Sequence, residues 1–308
     1  MSSGDGQRQE AVGSAPGKLI LAGEHAVVFG HDAVAVAIDR RTTVRLRPGA
    51  PGPLQLHSAL CDARLQSALA VALPEGGLSV QIDTELPVGR GMGSSGALAV
   101  ALLRARAAWR GEPLDFAGLH AEGFAIERVF HGTPSGLDHA VSALGGALRY
   151  RRGPDGSVEL AALPTPAWPL VVLDSGCAGD TGAMVAGVRA RRPAIDRALD
   201  EIGALSAHLI EALCSGAAVE ALGPALTDNH RLLREIGVST DALDGLVAFA
   251  LRHGAAGAKL AGAGGGGVVI ALCAEPDRLL AAAAAAGLVA WAAPIAPPAA
   301  PIPASPLA

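Results

Sequence analysis

Apolar and polar positions change rhythm several times along the chain, and each rhythm predicts an element. After ten polar residues, Ala11–Leu21 is a largely apolar run of strand length. Val34–Arg47 ends in Thr43-Val44-Arg45-Leu46-Arg47, whose alternation is that of a half-exposed strand. The Pro/Gly loop Pro48–Pro53 interrupts it, and Leu78–Leu86 alternates again at Leu78, Val80 and Ile82, which predicts a third strand. A glycine-rich turn, Pro87–Gly96, then opens a helix to about Arg110. A second helix runs from Asp115, a good N-cap residue, to Phe130. The loop His131–Gly136 leads into a short helix, Leu137–Leu144. Gly146–Arg152 and Val158–Leu163 read as a hairpin around Gly153-Pro154-Asp155-Gly156.

The Pro-bearing segment Leu163–Pro169 marks a boundary, which divides the chain into domains at 11–163 and 164–296. Beyond it come a strand (Leu170–Asp174), several helices (Thr181–His253), two strands (Ala258–Leu260 and Val268–Cys273), a helix (Pro276–Ala286) and a last strand (Leu288–Ile295). With the helices counted as one crossover, the order is β-α-β-β-α-β, the split ferredoxin-like arrangement. The Pro/Ala-rich tail 297–308 is expected to be disordered.

Composition narrows the class of protein. Half of the 308 residues are apolar, yet no apolar stretch reaches the ~20 residues a membrane helix needs. The polar N-terminus lacks the apolar region of a secretory signal, so a soluble, cytoplasmic protein is expected. A net charge of −5 argues against a nucleic-acid partner, which wants a basic face. Four scattered cysteines without a CxxC pair read as reduced thiols. Of the 24 basic side chains only Lys18 and Lys259 are lysines. Lysine offers a compact ammonium that guanidinium does not imitate, which marks Lys18 as functional. For Lys259 a structural or solvated role stands beside a functional one.

Four segments carry chemistry. Val88-Gly89-Arg90-Gly91-Met92-Gly93-Ser94-Ser95-Gly96 places four glycines and two hydroxyls at the start of an alanine-rich helix. Unpaired N–H groups and the positive dipole end suit phosphate there. A strand-to-helix turn that needs glycine for geometry alone is the plain alternative. The same residues satisfy G-x-G-x-x-G, but no strand ends in an acid about 20 residues on, so a dinucleotide oxidoreductase is disfavoured. A Walker A loop fails as well, because Leu19 follows Lys18 where Ser or Thr is required.

The second segment runs from Glu127 to Asp138, with two carboxylates on either side of a loop that folds the chain back towards one pocket. Magnesium accepts one or two protein oxygens beside phosphates, and Glu127 with the Ser95 hydroxyl would suffice. Asp138 would then take the proton of an attacking alcohol, or simply cap its helix. The third segment, Lys259–Gly267, sets five glycines between two strands. The fourth, Ala15–Gly30, places Lys18, Glu24 and His25 among apolar residues, where an unpaired charge is costly, so paired or ligand-contacting arrangements are expected. His25 and His31 lack a third ligand at a useful spacing, which disfavours metal bound through histidine.

Taken together, Pro16-Gly17-Lys18, the Pro87–Gly96 loop and the Lys259–Gly267 run resemble the three motifs of the GHMP family of small-molecule kinases, in order and over about Ala11 to Ile295. Gly23-Glu24-His25-Ala26-Val27-Val28 and His131–Asp138 resemble the mevalonate kinase branch. The resemblance implies an α+β, two-domain fold, with an N-terminal β/α sandwich and a C-terminal ferredoxin-like domain. It also implies ATP and Mg2+ as cofactors, mevalonate as the substrate phosphorylated on its 5-hydroxyl, and often a homodimer. A sister kinase or ATP-dependent decarboxylase acting on a related hydroxy acid is the alternative. By the same resemblance Asp138 is the catalytic carboxylate and Lys18 stabilises the attacking oxygen. Ser95 and Glu127 hold magnesium, the backbone of Val88–Gly96 binds the ATP phosphates, and Glu24, His25 and Thr181 line the substrate side. Met92 and Gly96 stand where the family usually has Leu and Ala, a departure expected to alter packing more than chemistry.

Overall fold

A computed structural model of the chain describes residues 10–59, 61–132, 134–165 and 168–299. Two sheets organise it. The first comprises β1 (Ala11–Ala22), β2 (Asp32–Pro48), β3 (Gln55–His57), β4 (Leu78–Thr84), β5 (Ala147–Arg152) and β6 (Val158–Leu163). The long β2 pairs antiparallel with β1, with β4 through Thr42–Pro48 and with β5 through Asp32–Val36. Four helices accompany this sheet: α1 (Ala63–Ala72), α2 (Ser94–Arg110), α3 (Phe116–His131) and α4 (Leu137–Leu144). Buried Ala97, Ala99, Ala101 and Ala105 give α2 a thin flank, and Gly13 on β1 leaves no Cβ where the Ala101 carbonyl passes. The helix therefore lies directly on β1, the strand that carries Lys18.

The second sheet comprises β7 (Leu170–Asp174), β8 (Gly257–Ala261), β9 (Val268–Leu272) and β10 (Ala290–Ala292), in the order β10-β7-β9-β8 with every pair antiparallel. That is the order expected from β-α-β-β-α-β. Its helices are α5 (Thr181–Ala190), α6 (Asp196–Ser215), α7 (Val219–Glu235), α8 (Asp241–Arg252) and α9 (Pro276–Ala285). Both faces of β8 and β9 are buried, which explains their unbroken apolar runs. Leu19, Leu21, Val36 and Met92 pack in one core cluster with Val172, Leu213, Leu226 and Ile270, so the two halves share apolar interior.

Three features differ from the sequence reading. Residues 54–77, without a predicted element, hold β3 and α1, the latter capped by Asp62, whose Oδ1 accepts the Leu65 N–H at 2.7 Å. The last strand is shorter than Leu288–Ile295. The beginning of the tail is ordered: the Pro294 carbonyl accepts the Asp39 N–H, the Ala296 N–H donates to Ala37, and the Ala299 N–H donates to Leu144. This segment meets β2 on the backbone between its β4-paired and β5-paired stretches, so residues 297–299 are held rather than free. The expected disorder of 300–308, like Thr133 and the Pro166-Ala167 part of the proposed boundary, lies outside the described residues.

Candidate active site

A cavity of about 1130 Å3 opens where the N-terminus of α2, the loop before α4, the start of α5 and the glycine turn after β8 converge. Lys18, Glu24, His25, Val88, Gly89, Gly91, Gly93, Ser94, Ser95, Glu127, Asp138 and Thr181 all line it. Arg90, Met92 and Gly96 do not face it. Arg90 turns to Asp174 and the Gly176 carbonyl, Met92 is buried in the core, and Gly96 lies against α4.

At its floor Lys18 Nζ lies 3.1 Å from Asp138 Oδ1 and donates to the Gly91 carbonyl at 3.2 Å. The lysine is 2% exposed. Its stem threads past Gly93, where a Cβ would stand 2.7 Å from Lys18 Cγ. Its own N–H donates to the Met92 carbonyl at 2.9 Å, which ties the glycine loop to β1. Asp138 sits in the first turn of α4, where the helix dipole favours a carboxylate.

Above this pair the glycine loop delivers the start of α2. Gly89, Gly91 and Gly93 take positive φ, and Gly93 is an N-cap without a side chain to cap the first turn. The turn's orphan N–H groups thus have no side-chain competitor for an anion. The β8–β9 glycine turn supports the loop from behind, with the Ala261 carbonyl against Gly91 and Gly267 against the Arg90 carbonyl. Gly179, before α5, donates its N–H to Gly89 at 3.1 Å.

Glu127 is 1% exposed, and its Oε2 accepts from His139 Nδ1 at 2.7 Å. Its Oε1 is buried without a hydrogen-bond partner among the described residues. An unpartnered carboxylate oxygen in a cavity wall suits a cation or a hydrogen-bond donor. No group of three or more His, Cys, Asp or Glu among the described residues forms a self-sufficient metal site. One carboxylate and one hydroxyl instead suit a hard cation that takes its remaining oxygens from phosphates and water. The Ser95 hydroxyl, hydrogen-bonded to His131 Nε2 at 2.9 Å, lines the same cavity.

On the opposite wall, Glu24 meets the need for pairing. Lys259 Nζ donates to its Oε1, and Asn229 Nδ2 donates to its Oε2 at 3.3 Å. Lys259 also donates to the carbonyls of Ile20 and Leu260, so it joins the two sheets. His25, at φ 62°, donates from Nε2 to the Ala263 carbonyl at 2.9 Å, and burial pushes its pKa down to about 4. Thr181 begins α5, capped by Asp180, whose Oδ1 accepts the Ala183 N–H.

The GHMP kinases N-terminal domain family matches residues 59–146, and the GHMP kinases C-terminal family matches 209–288. The chain is 35% identical to the mevalonate kinase of Pyrococcus abyssi, with 88% of this chain and 90% of that one covered. It is 34% identical to the mevalonate kinase of Methanothermobacter thermautotrophicus, over 84% and 89%. The chain belongs to the mevalonate kinase branch of the GHMP kinases. A crystal structure of L. major mevalonate kinase in complex with R-mevalonate superposes with a TM-score of 0.81 at 28% identity, covering 97% of this chain and all of that one. The Methanococcus jannaschii mevalonate kinase shares the fold, with a TM-score of 0.79 at 23% identity.

As a GHMP kinase the chain is an ATP-dependent enzyme, and the cavity places its family motifs around one floor. Several polar partners were invisible to sequence reasoning. His139 and His131 stand behind Glu127 and Ser95, and Asn229 comes from distant α7. His139 had one signal, an ionisable residue directly after Asp138 on a helix whose other positions, Ser142 apart, are Leu, Ala and Val.

Proposed function

We propose that the chain transfers the terminal phosphoryl group of ATP to the 5-hydroxyl of (R)-mevalonate, giving 5-phosphomevalonate and ADP. The observation that carries this reading is the Lys18–Asp138 pair, 3.1 Å apart on the floor of the cavity into which the start of α2 projects. Phosphoryl transfer asks a protein for positioning and charge stabilisation rather than covalent chemistry. The backbone of Val88, Gly89, Gly91 and Gly93–Ser95 cradles the triphosphate, and the alcohol meets both Lys18 and Asp138. The hydroxyl oxygen forms the new bond to the γ-phosphorus, the bond from that phosphorus to the β–γ bridging oxygen breaks, and ADP leaves with that electron pair. Asp138 accepts the hydroxyl proton or orients the alcohol, while the Lys18 ammonium offsets negative charge on the attacking oxygen.

Glu127, through its unpartnered Oε1, and Ser95 would hold Mg2+ beside the phosphates. There the ion would offset the charge of the phosphate oxygens. Neutral His25, Glu24 and Thr181 form the substrate wall. The test is ADP release over a panel of mevalonate, phosphomevalonate, diphosphomevalonate, homoserine and galactose. Turnover with mevalonate well above all others is expected, and a preference for another member would overturn the substrate assignment.

A further inference from the structure

On α3, His120, Gly123 and Glu127 fall on one face and meet His139 of α4. The His139 imidazole is fully buried, and its slot is cut by Gly123, where a Cβ would stand 3.0 Å from its Cδ2. A carboxylate only accepts, so Nδ1 carries the proton that it donates to Glu127 Oε2 at 2.7 Å. Nε2 is engaged at 2.9 Å by His120 Nδ1, and the two rings are stacked at a tilt with centroids 4.6 Å apart. Both ring nitrogens are therefore committed, which fixes the orientation of the imidazole. With Oε2 held, the carboxylate has Oε1 left as its one unpartnered oxygen. His139 also follows Asp138 directly, so one side chain spans from the helix that holds the proton acceptor to the helix that holds Glu127.

We propose that His139 is a positioning residue for this reaction. It pins Glu127 so that Oε1 is presented to the metal ion, and it holds that carboxylate in fixed relation to Asp138. The proposal rests on the reading of Glu127 as a metal ligand. Hydrogen bonds to a ligating carboxylate orient it, and their loss weakens metal binding by roughly 10- to 100-fold. His120 acts one step further back, as the tether of the imidazole.

The experiment measures Mn2+ binding to the enzyme–ADP complex by electron paramagnetic resonance, with mevalonate binding followed separately by calorimetry. It uses wild type, His139→Leu, His139→Asn, His120→Phe and Glu127→Gln. His139→Leu is expected to bind Mn2+ at least about tenfold more weakly with mevalonate affinity retained. His139→Asn, which can present an amide N–H near the Nδ1 position, is expected to stay within about threefold of wild type. Wild-type Mn2+ affinity in His139→Leu alongside weakened binding in Glu127→Gln overturns the positioning role and leaves the metal role of Glu127 standing. Wild-type affinity in Glu127→Gln overturns both. Equal weakening in the Leu and Asn variants shows that ring packing matters rather than the N–H, and also overturns the proposal. If His139→Leu does not fold, His120→Phe decides. Weakened Mn2+ binding with intact mevalonate binding supports the tethered imidazole, and unchanged Mn2+ binding overturns it.

Discussion

Lys18 and Asp138 meet at 3.1 Å, one in the middle of a strand and the other in the first turn of a helix, with the lysine sealed and the aspartate a quarter exposed. The asymmetry suits their proposed roles. The buried ammonium is held by Asp138 and the Gly91 carbonyl, and the carboxylate remains open to an entering alcohol. Asp138→Asn and Lys18→Met are each expected to lower kcat by roughly 10²- to 10⁴-fold, the usual contribution of a positioned acid–base group. Nucleotide affinity, set by the backbone of the glycine loop, should change little. Turnover and nucleotide titration on both variants check this, and near-normal turnover in the Asn variant would remove Asp138 from the chemistry.

Gly96 sets the distance between α2 and α4. A Cβ there would lie 2.8 Å from the Asp138 carbonyl carbon and the His139 nitrogen, both backbone atoms that have little room to give. Helix propensity alone would favour alanine by about 1 kcal/mol. We expect the contact to dominate, with Gly96→Ala showing no gain in stability. A displacement of Asp138 by a few tenths of an ångström should lower kcat roughly tenfold, since misplacements of about 1 Å cost about 10²-fold. Thermal melting and kcat measured together decide it, and an unchanged kcat would show that α4 yields without moving the carboxylate.

Much of this was legible because strand periodicity and glycine punctuation are local. The alternation at Thr43–Arg47 and Leu78–Ile82 gave two paired strands, and the order of elements after Pro169 gave the second sheet. Residues 54–77 were not read because β3 has three residues and α1 is mostly small apolar side chains with a weak polar face. The backbone pairing just before the tail was not read because composition says nothing about a gap in pairing. Between the stretches of β2 paired with β5 and β4, Asp39 donates to Pro294 and Ala37 accepts from Ala296. Motifs marked the cavity floor, whereas partners such as Asn229 and His120 depend on contacts between distant segments.

Glu24 is the member of its group that removal of a partner would strand. Its side chain is 1% exposed, and its counter-charge is Lys259, itself fully buried. Lys259→Met leaves the carboxylate with Asn229 alone as a side-chain donor. It should destabilise the protein by about 3–5 kcal/mol, the typical result of breaking a buried pair from one side. Adding Glu24→Gln removes the stranded charge, so the double variant should be more stable than Lys259→Met alone. Urea denaturation of the four members of the cycle measures the coupling. A Lys259→Met protein within about 1 kcal/mol of wild type would contradict the account.

Two buried histidines make stability sensitive to acid. Burial holds the pKa of His25 down to about 4, and burial first, then the neighbouring His139, does the same for His120, both against an ordinary value of 6.5. The stability they confer is fully present above 6.5, where both states are neutral. As the pH falls below 6.5 the unfolded chain binds protons that the folded chain refuses until about 4, so stability declines across that window. By pH 5 each site should have cost about 2 kcal/mol, before ordinary carboxylates begin to protonate appreciably. Denaturation free energies at pH 7.5, 6 and 5 should therefore fall steadily. In His25→Gln, which has one fewer titrating group, the decline should be shallower but not abolished, because His120 and His230, both also lowered by burial, still contribute. A flat profile between pH 6.5 and 5 would mean that these imidazoles accept protons without unfolding the protein.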